Sequence, residues 1–120
     1  MSKEKTFIFT DNQRPKWVKY PRGYTALVEC GSVKFPPWLF METAAVVDVA
    51  QQLKTRYSKD YFPIAWLEGT DDFACLEKDA GDKIFRVNCY ATPGHEIVFE
   101  YKSFWQWLHA ALEEMENQLT

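Results

Sequence analysis

The sequence predicts an α+β domain in which an antiparallel sheet of four or more strands is packed against a C-terminal helix and an earlier helix. Two observations favour this fold class. Residues 62–101 contain four short segments rich in β-forming side chains, separated by turns with Gly, Asp or Pro. Segments with the apolar spacing of amphipathic helices precede and follow this region. Because connections this short join antiparallel strands, we expect a meander.

Length and composition predict a single domain spanning residues 1–120. A chain of 120 residues has the common size of one domain. Its composition, 47% hydrophobic with 17% aromatic residues, is too rich in large apolar side chains for a disordered segment. No apolar run approaches the roughly 18 residues of a membrane span, and the start of the chain does not resemble a signal peptide. We therefore expect a cytoplasmic protein with no membrane partner.

The N-terminal third is predicted to contain only brief elements. Residues 6–10 are compatible with a short strand, and residues 23–29 with one or two turns of helix after Pro21. The pair Pro36-Pro37 excludes a helix at that point and favours an extended approach to the next residues. Residues 38–41 are therefore predicted to form a short buried strand.

The earlier helix is predicted over residues 43–57. Val46, Leu53 and Tyr57, with Val49 or Ala50 between them, recur at helical spacing and predict its buried face. Thr43 is a plausible N-cap because its hydroxyl could accept a hydrogen bond from a free backbone N–H.

The sheet is predicted from four strands over residues 62–68, 72–77, 83–91 and 96–101. Aromatic side chains alternate along these strands or repeat along the following helix, as core residues do. The aromatic residues assigned to the core are Trp66, Phe73, Phe85, Phe99, Phe104 and Trp107. Cys75 and Cys89 are expected to be small core residues in a reduced compartment, because the three cysteines, these two and Cys30, match no disulfide, zinc or redox spacing.

The C-terminal helix is the clearest element and is predicted over residues 103–117. Ser103 and Gln106 have the spacing of a capping box, in which each side chain binds a free backbone N–H. One apolar stripe follows, formed by Phe104, Leu108, Ala111, Met115 and Leu119. Trp105 lies one position off this stripe, so it either covers the sheet edge or is exposed as an interface anchor.

Charge is unevenly distributed along a chain of net charge −3. Residues 1–34 contain seven basic and three acidic side chains, a local charge of +4, and residues 35–120 contain seven basic and fourteen acidic ones, a local charge of −7. Only the N-terminal part could offer the concentrated basic surface that phosphate contacts need. The sequence therefore predicts no nucleic-acid partner.

Catalytic and metal-binding patterns are not apparent in the sequence. His95 is expected on an exposed turn and His109 off the main stripe of the last helix, and the cysteines lack a neighbouring base that would activate a thiolate. The acidic residues of 68–82 lack the register of a calcium-binding loop. We therefore predict no catalytic residue, no metal and no cofactor.

The acidic segment has three interpretations. The first is a divalent-cation site, which would leave a small metal-dependent enzyme as a third class of function. Residues 68–82 contain six carboxylates, those of Glu68, Asp71, Asp72, Glu77, Asp79 and Asp82, against the single base Lys78. Asp is common in turns because it binds its own backbone, which makes a purely structural role the second interpretation. The third is a partner surface, with the turns projecting together from one end of the sheet. The predicted partner-binding residues are Glu68, Asp71, Asp72, Asp79, Asp82 and Trp105.

The order of these segments resembles that of the SUKH superfamily, which includes yeast cell-wall-assembly regulators and many bacterial immunity proteins. The similarity runs from about residue 20 to residue 114, as in a shortened bacterial-type branch. Its most specific parts are Pro36-Pro37-Trp38-Leu39-Phe40, Phe62-Pro63-Ile64-Ala65, Asp71-Asp72-Phe73-Ala74-Cys75, Ala91-Thr92-Pro93-Gly94 and Ser103-Phe104-Trp105-Gln106-Trp107.

The resemblance implies a non-catalytic, protein-binding α+β domain of immunity type, which neutralises a cognate toxin by direct binding. Under this hypothesis the acidic turns mimic phosphates and occupy the basic groove of a nuclease-like toxin. The alternative is a regulatory or scaffold module with a native cellular partner and no toxin. If the acidic turns are not the interface, the exposed aromatic candidates are Trp17, Trp38 and Trp105.

Overall fold

A computed structural model describes residues 6–119 and confirms the α+β class. The three helices are α1 (Arg22–Glu29), α2 (Thr43–Tyr57) and α3 (Phe104–Leu119). The six strands are β1 (Lys34–Phe35), β2 (Trp38–Phe40), β3 (Tyr61–Leu67), β4 (Asp72–Glu77), β5 (Ile84–Asn88) and β6 (Ile97–Tyr101). They form one antiparallel sheet in which each strand pairs with its sequence neighbours, so β1 and β6 are the edges. None of the helices within 6–119 has the length and apolar character needed to cross a bilayer.

The sheet separates two apolar cores. Successive side chains of a strand point to opposite faces, so on β4 Ala74 and Leu76 face one core and Cys75 faces the other. Helices α1 and α3 cover the first face, whose core includes Tyr24, Trp38, Phe40, Ile64, Ile84, Phe104, Trp107, Leu108 and Ala111. Helix α2 covers part of the second face, whose core is Leu53, Tyr57, Tyr61, Cys75, Phe85 and Val87.

Helix α2 has the predicted bounds, but its predicted cap is wrong. Glu42 occupies the N-cap position and Thr43 is the first helical residue. The backbone N–H of Thr43 donates to the carbonyl oxygen of Thr6 at 2.9 Å, and the two threonine hydroxyls lie 2.7 Å apart. The N-terminal segment therefore satisfies one free N–H of the first turn, that of Thr43, with a backbone carbonyl.

The cap predicted for α3 is present with one change of partner. Ser103 accepts a hydrogen bond from the backbone N–H of Gln106 at 3.2 Å, as a capping box requires. The Gln106 side chain accepts from the N–H of Lys102 at 2.6 Å instead of that of Ser103. The cap thus also ties α3 to the end of β6.

The N-terminal third departs most from prediction. Residues 6–10 form no strand, because side chains satisfy their backbone: the Tyr20 hydroxyl accepts from the N–H of Phe9 at 3.0 Å, and the Tyr24 hydroxyl donates to the carbonyl of Phe7 at 2.6 Å. Strand β1 was not predicted. It pairs with β2 around the cis Pro36–Pro37 peptide bond.

Two bulges interrupt the sheet. Ile64 is an extra residue on β3, which lets Pro63, a residue without an N–H, lie in a central strand. Val98 is the extra residue on β6. The strands predicted at 62–68, 83–91 and 96–101 are present with shorter or shifted bounds, and the one at 72–77 is as predicted.

Four residues assigned to the core or to the apolar stripe need correction. Phe99 is 55% exposed because β6 is an edge strand, of which only Tyr101 is buried. Leu119 is 80% exposed at the end of α3, so the buried stripe stops before it. Trp66 and Phe73 are half-buried, since α2 covers only part of their face.

Replacing Leu108 by Ala should lower the free energy of unfolding by about 2–5 kcal/mol, because a nearly buried side chain leaves a cavity in the first core. Leu112→Ala is the matched control, since Leu112 lies one turn later on α3 and is 40% exposed. Urea denaturation of both variants measures the difference. A loss below about 0.5 kcal/mol at Leu108 would contradict its place in the core.

Candidate functional site

The acidic turns lie at opposite ends of the sheet, which corrects the expectation of one negative surface. Glu68 and Asp71 are in the β3–β4 turn, and Asp79 and Asp82 are in the β4–β5 turn. Strand β4 runs from one turn to the other, and its six residues span about 17 Å at the usual rise per residue. Consecutive hairpins of a meander always lie at opposite ends, so these four exposed carboxylates form two separate pairs.

Asp72 belongs to the interior. Its residue surface is only 7% exposed, and its two carboxylate oxygens accept hydrogen bonds of 2.7 Å from Arg86 Nε and from Asn88 Nδ2 on β5. The Arg86 guanidinium also lies 5.9 Å from the centre of the Trp38 ring. The charge of Asp72 is thus compensated inside the fold and adds little to any exposed acidic surface.

The β4–β5 end brings three of the predicted site residues together. A cleft of about 540 Å³ lies between this turn and the start of α3, and its lining includes Arg22, Asp82 and Trp105. A second cleft of about 310 Å³ shares part of that lining and extends to Trp17 and Asp79. We call the two together the Trp105 cleft.

Trp105 is exposed because its neighbours on α3 are buried. Phe104 and Trp107 pack into the first core, which turns Trp105 outward and leaves it 62% exposed. Its inner edge rests on α1 at Gly23: a Cβ atom there would lie 3.0 Å from Trp105 Cζ2 and 2.8 Å from the Phe104 ring. The missing side chain of Gly23 therefore lets α1 approach α3 and fixes the inner wall of the cleft.

The Trp105 cleft contains charges of both signs. Lys19 and Arg22 line it from the segment that leads into α1, opposite Asp79 and Asp82 of the β4–β5 turn. The carboxylates therefore do not produce a uniformly negative surface. A partner with a purely basic groove would meet two basic side chains here.

The two other aromatic residues predicted as exposed interface anchors, Trp17 and Trp38, are not fully exposed. Trp38 is 1% exposed and donates its indole N–H to Glu114 Oε1 at 3.3 Å, so its assignment as an exposed anchor is wrong. Trp17 is half-buried, and its ring centre lies 6.4 Å from that of Phe62. Residues 38–41 were also predicted to form a short buried strand, and that prediction holds for Trp38, because pairing of β2 with β3 places this tryptophan under α3.

A second concave surface lies on the face covered by α2, and sequence reasoning missed it. This α2 groove has a volume of about 460 Å³ and runs between one flank of α2 and strands β2 to β4. Its apolar lining includes Leu39, Val49, Trp66, Phe73 and Tyr90, and its acidic residues are Glu42 and Asp71. Trp66 and Phe73 are cross-strand partners, a pairing that becomes visible only once the register is known.

Glu96 is a buried carboxylate whose contacts are structural. It accepts hydrogen bonds of 2.8 Å from the Tyr61 hydroxyl and from the N–H of Gly94, and Lys59 Nζ lies 3.7 Å from it. Burial raises the pKa of this carboxyl, but the hydrogen bonds and the charge of Lys59 outweigh burial and lower the pKa overall. A carboxylate held ionised by Tyr61, Lys59 and the N–H of Gly94 is suited to anchoring the start of β6 to the start of β3.

The remaining reactive groups do not converge. His95 and His109 are exposed on a turn and a helix, and Cys30 is exposed far along the chain from either. Burial raises the pKa of the Cys75 thiol, which keeps that sulfur protonated and a weak nucleophile. Among residues 6–119, no three His, Cys, Asp or Glu side chains are grouped so as to hold a metal ion.

Comparison of the chain with protein-family models, with curated proteins and with solved structures finds no match. The similarity to the SUKH superfamily therefore stays a prediction.

Glu96→Gln should destabilise the protein at neutral pH by about 1–3 kcal/mol, because charge-assisted hydrogen bonds are replaced by weaker ones. The folded-state pKa is lowered, so the carboxylate stabilises the fold above its ordinary value of 4.5, and this stabilisation is lost as pH falls through the folded-state pKa. The difference between wild type and variant should therefore shrink from pH 7 to pH 3 in urea titrations. The exposed Glu100→Gln is the control, and an equal difference at both pH values would contradict the assignment.

Gly23→Ala should lower the free energy of unfolding by about 1–3 kcal/mol through overpacking against Phe104. This loss would occur although Ala is the better helix former. Arg22→Ala, an exposed change on the same helix, should be nearly neutral. Thermal unfolding measures both, and a Gly23→Ala variant more stable than wild type would show that α1 and α3 do not approach this closely.

Proposed function

We propose that this protein is a non-catalytic binding module that holds a protein partner at the Trp105 cleft. The observation that carries this proposal is the 62% exposure of Trp105 beside a cleft with charged side chains of both signs. Tryptophan is the residue type most enriched among binding hot spots, and a polar rim around an aromatic anchor is the usual anatomy of an interface. Predicted site residues Asp79, Asp82 and Trp105 all contribute to this surface.

A role in binding is supported over a role in catalysis by the arrangement of the reactive groups. Within residues 6–119 the exposed histidines are isolated, and the most buried carboxylate, that of Glu96, already accepts hydrogen bonds from Tyr61 and from the N–H of Gly94. An acid–base or nucleophilic mechanism needs such groups within hydrogen-bond reach of one another in a cleft. The Trp105 cleft instead combines an aromatic ring with flexible charged side chains.

The partner we infer offers an apolar pocket for the indole ring and charges of both signs around it. Lys19 and Arg22 would face acidic groups of the partner, and Asp79 and Asp82 would face basic groups. Glu68 lies at the other end of the sheet and is outside this interface. The dependence of affinity on salt should therefore be moderate, because the basic and acidic side chains of the cleft largely cancel at long range and leave little net attraction for salt to screen.

The resemblance to SUKH proteins favours a toxin as this partner, with inactivation by direct occlusion of the toxin. The alternative is a scaffold role with a native cellular partner. Two observations separate these functions. An immunity gene should lie directly downstream of a gene for a large toxin-bearing protein. Cells whose growth is stopped by that toxin should grow again when this protein is expressed with it.

Trp105→Ala should raise the dissociation constant for the partner at least about tenfold, equivalent to about 1.4 kcal/mol, because the anchor loses its buried contact. The partner is first identified by photo-crosslinking from residue 105 in the source cell, and the affinity is then measured by calorimetry with purified proteins. Trp105 is largely exposed, so the variant should keep its unfolding midpoint.

Phe99→Ala is the matched control, since Phe99 is a second exposed aromatic residue on the β6 edge. Its affinity should equal that of wild type. If Phe99→Ala weakens binding and Trp105→Ala does not, the interface lies along β6 and the proposed site is wrong. An enzymatic turnover lost in the Trp105→Ala protein would overturn the non-catalytic role.

A further inference from the structure

The α2 groove combines aromatic rings with negative charge. Its floor is the sheet row Leu39, Trp66 and Phe73, whose residues are cross-strand neighbours on β2, β3 and β4. Its wall is the flank of α2 formed by Ala45, Val49 and Gln52, which recur at helical spacing. Tyr90, 67% exposed, lies at its rim.

Every charged residue that lines this groove is acidic. Glu42 and Asp71 contribute carboxylates, and no Lys, Arg or His is part of the lining formed by the described residues. The neighbouring bases lie outside it: Arg56 donates to the carbonyl oxygens of Tyr90 and Ala91 at 3.0 Å each, and Lys34 lies across from Leu39 on the edge strand β1.

The Asp71 carboxylate is available to a ligand because other groups hold its turn. The Thr70 hydroxyl donates to the carbonyl of Leu67 at 2.7 Å and accepts from the N–H of Asp72 at 3.1 Å. Only the backbone oxygen of Asp71 is used, accepting from the N–H of Cys89 at 2.9 Å. Within residues 6–119 its exposed side chain has no hydrogen bond or ion pair, so its charge is not compensated.

The negative charge acts inside the groove itself. Burial raises the pKa of the Cys89 thiol, and the carboxylates of Asp71 and Asp72 raise it further; a backbone hydrogen bond and the charge of Arg56 lower it by less, so the pKa is raised overall. The aromatic floor is also preorganised, because the indole N–H of Trp66 donates to the carbonyl of Thr70 at 2.9 Å and fixes the ring beside Asp71.

We propose that the α2 groove is a second binding site, which takes the side chain of an arginine or lysine from a partner polypeptide. The rings of Trp66, Phe73 and Tyr90 would contact the alkyl stem and the face of the cation, and Asp71 would pair with its charge. Aromatic faces attract cations through their negative quadrupole, and a carboxylate adds a direct ion pair. An uncharged apolar side chain would leave the exposed carboxylate without a partner.

This site is separate from the Trp105 cleft and does not depend on the function proposed there. Trp105 lies on α3, on the other face of the sheet, so a Trp105→Ala protein should bind a groove ligand as the wild type does. The two proposals can therefore fail independently.

The test is an NMR titration of ¹⁵N-labelled protein with a synthetic Gly-Ser peptide that contains one arginine. The Trp66 indole resonance and the amides of Thr70, Asp71 and Phe73 should shift. The same peptide with citrulline in place of arginine should bind at least about fivefold more weakly, because citrulline keeps the shape of the arginine side chain and removes its charge. Agmatine, a free guanidinium amine, tests whether the site takes small molecules instead.

Two charge variants complete the test. Asp71→Asn should weaken binding of the arginine peptide at least about fivefold at low salt. Asp48→Asn, the same change at an exposed position of α2 that does not line the groove, should have no effect. Tyr90→Ala should also weaken binding of the arginine peptide, and it should leave the unfolding midpoint unchanged because the Tyr90 ring is mostly exposed. Equal binding of the arginine and citrulline peptides, absence of shifts, or tighter binding of agmatine than of the peptide would each overturn the proposal.

Discussion

Trp107 packs edge-on against Trp38, with ring centres 5.4 Å apart, and this contact between α3 and β2 organises much of the molecule. Trp107 is fully buried; its ring also stacks on Phe40 with centres 6.1 Å apart and lies tilted against Phe104 with centres 5.5 Å apart. Large aromatic rings contribute most of the apolar area in a core of this size. Because Phe104 and Trp107 face the sheet, helical geometry places Trp105 on the outer side of α3. The exposure of Trp105 is therefore a consequence of how its two aromatic neighbours pack.

The second face of the sheet is covered in a different way, by polar anchoring of a loop. The Tyr57 hydroxyl donates to the carbonyl oxygens of Asn88 and Ala91 at 2.7 and 3.0 Å, and Tyr61 donates to Glu96. These bonds hold the β5–β6 connection against the C-terminal end of α2. Among the described residues, no comparable loop lies on the groove side of the N-terminal half of α2, so the floor of the α2 groove stays open there.

The meander topology decides how charge is presented. An acidic segment that is continuous in sequence is divided between two ends of the sheet, and Asp72 between them is paired with Arg86. The charge and the apolar surface at each end of the sheet therefore depend on segments that are distant in sequence. Lys19 and Arg22 give the Trp105 cleft its mixed charge, and the aromatic rings of β3 and β4 surround Asp71.

The sequence by itself determined the fold class, the bounds of α2, the capped start of α3 and the four long strands, because periodicity and turn chemistry are local properties. It also indicated that Trp105 is unlike its neighbours, since one helix position separates it from the apolar stripe. Only the tertiary structure decided which face each helix covers, that Phe99 is exposed on an edge strand, and which acidic residues lie together. These depend on strand register and on contacts between residues far apart in the chain, such as Gly23 with Phe104 and Trp66 with Phe73, and a local pattern does not encode such distances.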